Sequence, residues 1–102
     1  MVFLVTQTYR IRSQFRDEYL AVVPQLEKGG MDLGCAWLEV YESDDEPNRF
    51  TEMQAFDSWT HWQRIRDIPP TREMEAVFRN LDQWIEGGLD GIQTDCLKSL
   101  TR

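Results

Sequence analysis

Imidazole is the side chain whose charge ordinarily changes near neutral pH, which makes the only histidine, His61, the first candidate for a general acid or base. It stands next to Trp62 and near Trp59. On a helix that turns Trp59, Trp62 and Ile65 inward, His61 falls at the edge of that face, where a half-exposed structural imidazole fits as well as a catalytic one. Two carboxylates alternate with aromatic residues: Glu52 shares a face with Phe50, Gln54 and Phe56, and Glu39 with Trp37 and Tyr41. A desolvated carboxylate has a raised pKa and can accept a proton. An ion pair with Arg49, Arg64, Arg66 or Arg79 would instead keep it ionised. Glu52 is the stronger candidate of the two. Gln7 shares a face with Phe3, Val5 and Tyr9, and its amide needs a partner that a ligand, a water or the neighbouring strand could supply. Trp59 and Trp62 could wall a pocket or fill a core, whereas Trp84 completes a helical stripe and reads as core.

Other chemistries find no support. Cys35 and Cys96 are far apart and lack the spacing of a zinc site or a CxxC pair, so both read as buried thiols. With one histidine and no cysteine cluster a metal centre is not expected. The sequence has no Ser-His-Asp set, phosphate-cradling glycine loop or nucleotide fingerprint, so no cofactor is expected. Eleven Lys and Arg against 18 Asp and Glu give a net charge of −7, which repels a phosphate backbone and makes nucleic acid a poor partner. No apolar run reaches the ~18 residues of a membrane span, and no basic region precedes the first apolar stretch. A cytoplasmic protein without membrane insertion is expected.

The elements that must position these residues follow from periodicity. Residues 2–9 are β-branched and aromatic without a breaker, giving a first strand. Ser13 is a candidate cap for a helix in which Phe15, Tyr19, Val22, Val23 and Leu26 recur at helical spacing. Pro24 should bend or shorten it, and Gly29-Gly30 should stop it. Leu33 to Glu42 alternates as a strand, the acidic turn Ser43 to Asn48 follows, and Arg49 to Phe56 resumes the alternation, which together describe a hairpin. Asp57 or Ser58 caps a short helix that Pro69-Pro70 breaks. Thr71 opens a third helix with a stripe of Met74, Val77, Phe78, Leu81, Trp84 and Ile85, ended by Gly87-Gly88, and a last strand runs from about Ile92 to Leu100.

The order βαββαβ predicts an α+β, ferredoxin-like sandwich with a four-stranded antiparallel sheet, residues 1–102 forming one domain, given 102 residues against ~150 for a typical domain. In this topology the strand order is fourth, first, third, second. Cys35 and Cys96 then lie on opposite edges, ~14 Å apart, too far for a disulfide. Helices cover one sheet face only. The other face is also apolar, and with no element left to bury it, a homodimer is expected.

This layout and length resemble the dimeric α+β barrel superfamily, which includes antibiotic-biosynthesis monooxygenases and NIPSNAP-like domains. A narrower stretch, Gly34-Cys35-Ala36-Trp37, Asp45 to Glu52 and Ser58-Trp59, is similar to the soluble tail of some bacterial major-facilitator exporters. Haem-degrading members of the superfamily resemble this chain at Trp62. They use an Asn on the first strand where it has Gln7, and a His further on where it has Arg72, so the resemblance implies no haem.

Two functions remain open. One is a homodimeric module that binds a small apolar or aromatic ligand, or regulates through it, without chemistry. The other is a cofactor-independent monooxygenase or cyclase-like enzyme acting on an aromatic or polyketide-like substrate. Either way the site is expected between helices and sheet, formed by Gln7, Glu52, Trp59 and Trp62, with His61 at its mouth and His61 and Glu52 the catalytic candidates.

Overall fold

In the computed structural model, which describes residues 3–101, the elements run in the expected order: β1 (Phe3–Arg10), α1 (Arg16–Leu33), β2 (Trp37–Glu42), β3 (Arg49–Phe56), α2 (Trp59–Arg66), α3 (Arg72–Trp84) and β4 (Gln93–Lys98). All strand pairs are antiparallel and the sheet order is β2-β3-β1-β4, a ferredoxin-like α+β fold. The expected start of the first strand at Val2 lies outside the described residues.

Register decides what each face carries. Phe3, Val5, Gln7 and Tyr9 of β1 stand opposite Phe56, Gln54, Glu52 and Phe50 of β3, and Leu38 and Val40 of β2 stand opposite Gln54 and Glu52. These residues line one face, and the helices pack on it. Two apolar clusters result. One joins Tyr9, Ile11, Tyr19, Leu26 and Phe50 to Val77, Leu81 and Trp84 of α3; the other joins Val5, Cys35, Leu38 and Phe56 to Trp62 and Ile65 of α2.

Several helix ends differ from the sequence reading. Gly29-Gly30 does not stop α1, which runs through both glycines and through Pro24 to Leu33. The pair serves close approach instead: a Cβ on Gly30 would lie 2.6 Å from Leu38 Cδ1, and one on Gly29 would lie 2.9 Å from Met74 Sδ. The true stop is Gly34, whose φ of +104° is left-handed and favours glycine. Because the helix claims Leu33, β2 begins at Trp37 rather than Leu33.

Ser13 caps nothing with its side chain. It opens a single 3-10 turn, Ser13–Phe15, and α1 starts after that turn. Ser58 and Thr71 do cap α2 and α3, their hydroxyls accepting from the backbone N–H of His61 and Met74, each cap contributing ~1 kcal/mol. The third helix ends at Trp84, before the glycines, because Ile85 leaves it to bridge Ile11.

The last strand spans Gln93–Lys98, and all its residues are exposed. Cys96 is therefore an exposed thiol rather than a buried one, because it sits on an edge strand that the helices leave open; Cys35 is buried as expected. Both are free, in keeping with their places toward opposite edges. The far face of the sheet carries Trp37, Tyr41 and Leu97, all exposed. No described helix is long and apolar enough to cross a membrane.

Candidate functional site

Across the middle of the helix-facing side runs one polar row, Gln7 and Glu52 facing each other on neighbouring strands, lying between the two apolar clusters. Glu52 is 6% exposed, the one buried charged residue among those described. None of the arginines considered from sequence reaches it, and among the described residues no ion pair involves it. Burial pushes its carboxyl above the usual carboxylate range, and hydrogen bonding from Tyr9 offsets part of that rise. Gln7 is half-buried. Its Oε1 accepts from Gln54 Nε2 at 3.5 Å, the long limit of a hydrogen bond. The partner its amide needed is thus the neighbouring strand.

Trp59 and Trp62 gather at the start of β1. The Trp59 ring meets Phe3 edge-on with centroids 5.6 Å apart and lies 5.0 Å from Trp62, while the Arg66 guanidinium sits 5.0 Å over the Trp62 ring. Phe3 and Gln7 are four residues apart on one strand, so the tryptophan corner and the polar row are ~14 Å apart along the backbone, with Val5 between them. Trp59 remains 46% exposed. The four residues named from sequence occupy one side of the sheet in two groups.

His61 belongs to neither group directly. Its Nδ1 accepts the Asp57 backbone N–H at 3.2 Å, which leaves the neutral ring's proton on Nε2, and its ring stands edge-on to Phe56 at 5.7 Å. Glu39 lies on the far face, exposed, and accepts the Tyr41 hydroxyl at 2.8 Å.

Two tyrosines complete the polar row, and the sequence reading did not assign them to a site. The Tyr9 and Tyr19 hydroxyls are 2.7 Å apart, and both residues are buried. Desolvation raises the pKa of each phenol beyond its ordinary value. A usable signal was present: tyrosines on the inward stripes of strand and helix carry hydroxyls that must find partners once buried.

Neither of two surface hollows coincides with this row. One of about 540 Å³ is lined by Arg16, Glu42, Ser43, Asp44, Pro47 and Asn48, and one of about 150 Å³, which touches the row only at Tyr9, by Thr8, Tyr9, Arg10, Arg49, Gly91 and Gln93. Toward the β4 edge, Thr94 stands opposite Gln7 and is exposed. No group of three or more potential metal ligands gathers among the described residues.

No family model and no curated protein matches the sequence. The fold, by contrast, is widely shared among solved structures. A NIPSNAP family protein from Agrobacterium tumefaciens superposes with a TM-score of 0.79 at 20% identity, covering 99% of this chain and 95% of its own. A variant of SnoaB, a cofactor-independent oxygenase from Streptomyces nogalater, gives 0.76 at 8% identity, covering 99% and 95%. An antibiotic biosynthesis monooxygenase gives 0.74 at 10%, covering 98% and 99%. The chain therefore has the ferredoxin-like α+β fold found in antibiotic biosynthesis monooxygenases and NIPSNAP proteins.

Proposed function

We propose that the chain is a homodimeric small-molecule-binding or regulatory protein, without a metal or nucleotide cofactor, that holds an apolar or aromatic ligand between its helices and its sheet. The observation that carries this reading is the polar row itself: a carboxyl and an amide, Glu52 and Gln7, on facing positions of adjacent strands in an apolar interior, with the Trp59–Trp62 corner proposed as an aromatic wall toward one end of the same face. Ligand sites have this composition, mostly apolar with a few placed polar groups. A second copy is the proposed cover for the far face of the sheet, supported by the exposed Trp37, Tyr41 and Leu97. The free thiols of Cys35 and Cys96 support a cytoplasmic location.

Sedimentation is expected to give about twice the 12.1 kDa chain mass, and a stable monomer at micromolar concentration rejects the dimer. Ligand binding is read by tryptophan emission against a panel of small polycyclic aromatics. Trp59→Phe is expected to lose most of the signal change and Glu52→Gln to alter affinity with Tm held within a few degrees; unchanged affinity in both rejects the site.

The second reading is a cofactor-independent oxygenase, favoured by the fold shared with SnoaB and by a carboxyl that burial makes more basic. In that case Glu52, with His61 as the alternative, would take the proton that converts an aromatic substrate to its reactive carbanion. Oxygen consumption with anthrone- or quinol-type substrates tests it. No uptake above the protein-free rate leaves the binding reading alone.

A further inference from the structure

His61 sits between the ends of two helices. At the start of α2 its Nδ1 accepts the Asp57 N–H at 3.2 Å, while the Ser58 hydroxyl accepts the backbone N–H of His61 at 3.1 Å. Two donors at the helix start are satisfied reciprocally, as in a capping box, with an imidazole in place of the usual glutamate or glutamine and the second N–H one residue earlier. On the other side of the ring, Nε2 lies 3.7 Å from where a Cβ would stand on Gly34, the residue at which α1 ends. The Phe56 ring meets a third side edge-on. The neutral ring, with its proton on Nε2, thus offers its lone pair to the positive end of α2 and its N–H to the negative end of α1.

What hangs on this cap is the aromatic corner. The eight residues of α2 include none that is fully buried, and the helix is held to the sheet by the half-buried Trp62 and Ile65 and by Trp59 against Phe3. Trp59 directly follows Ser58 and lies inside the capped turn. An imidazolium carries a proton on both nitrogens and cannot accept. Protonation therefore takes the acceptor away from the Asp57 N–H, and the new Nδ1–H has a destination in the Asp57 carboxylate, whose Oδ2 is 3.9 Å away. Other charges act on the ring from two sides. The N-terminus of α2 and the exposed Arg64, one turn along it, oppose the imidazolium. The C-terminal turn of α1 favours it, and Asp32 in that turn is already paired with Lys28 at 2.7 Å. From β3 the ring meets only the uncharged Phe56.

We infer that His61 is a pH-sensitive cap. Neutral, it ties the Asp57 N–H and holds the first turn of α2, with Trp59, against Phe3. Protonated, it exchanges that N–H for the Asp57 carboxylate and releases the turn. Resting on the ligand-site reading above, the same exchange couples the aromatic wall to pH.

The cap is tested on the ligand-free full chain by NMR, where the ring resonances of the only histidine need no assignment. As the ring takes up its proton, the Asp57 amide is expected to exchange with solvent several-fold faster, after correction for the intrinsic pH dependence, and the nuclear Overhauser contact between Trp59 and Phe3 to weaken with the same midpoint. His61→Gln, whose amide oxygen remains an acceptor at every pH, is expected to abolish both changes. Asp57→Asn, which removes the group that receives the new N–H, is expected to move them to lower pH. An Asp57 amide and a Trp59–Phe3 contact that stay constant through the ring's transition, or that change equally in His61→Gln, overturn the cap, as does a ring that stays neutral down to acid unfolding. Binding is read separately by tryptophan emission with 2-acetylnaphthalene, which has no titrating group. Affinity that falls several-fold across the ring's transition in the wild type and is flat in His61→Gln supports the coupling, and affinity that is flat in both overturns it. An intact cap transition with no binding of the probe supports the cap and rejects the ligand site.

Discussion

Glu42 and Glu52 stand on adjacent strands and turn toward the same side of the sheet, but one lies at its rim and the other in its middle. At the rim, the Arg16 guanidinium takes Glu42 through both carboxylate oxygens, and the backbone N–H of Asn48 donates to it at 2.8 Å. These donors hold its carboxyl down at about 2. In the middle, Glu52 has lost its water and has no cation, and its carboxyl is pushed the other way. Residue type and facing direction are shared. What differs is the reach of a long side chain: an arginine at the rim can meet a carboxylate while staying partly hydrated, whereas the centre is closed by Tyr9, Tyr19 and Phe50.

The largest expected effect comes from opening that closed centre. Tyr19→Ala removes a fully buried ring together with the hydroxyl that holds Tyr9, and a loss of roughly 3–5 kcal/mol is expected in urea unfolding, as for other large buried aromatics. A loss below ~1 kcal/mol would mean that the centre is loosely filled and the contrast with the rim overstated.

Next is the pH dependence of Glu52. Its folded pKa is raised, so the native state holds this proton more tightly than the unfolded chain, whose value is near 4.5. The contribution of Glu52 to stability is fully present below 4.5 and falls as pH rises through the folded value. Glu52→Gln is expected to abolish this decline while leaving stability in mild acid nearly unchanged. Parallel pH profiles of wild type and variant would place Glu52 with the ordinary carboxylates.

Glu42 has the opposite sign. Its folded pKa is depressed, so its contribution is present above 4.5 and is lost as pH falls from there toward about 2. Arg16→Gln is expected to raise the midpoint of acid unfolding modestly, with the effect shrinking in high salt because the pair is solvent-exposed. The smallest effect is expected from Glu39→Gln on the far face, where the carboxylate accepts only the exposed Tyr41 hydroxyl. Unfolding free energy measured at one fixed protein concentration should change by less than ~0.5 kcal/mol.

The sequence by itself determined the order of elements, the hairpin between β2 and β3, the cap at Thr71, a cap at Asp57 or Ser58 and the faces of the first three strands, because these depend on neighbours within a few residues. It also singled out Glu52, since an acid alternating with aromatics is legible along one strand. It misread Gly29-Gly30, where a local stop signal was overridden by the need of α1 to approach Leu38 and Met74, contacts far away in sequence. It placed Trp59 and Trp62 on the same sheet face as Glu52, without revealing that strand length puts them toward the other end of that face, and it passed over Tyr19, whose partner is ten residues distant on another element. It also read Cys96 as buried, since nothing within β4 reveals that the helices leave that edge open. Whether a carboxyl is desolvated and which donor reaches it depend on cross-strand register and on where each helix comes to rest, and only the tertiary structure decided those.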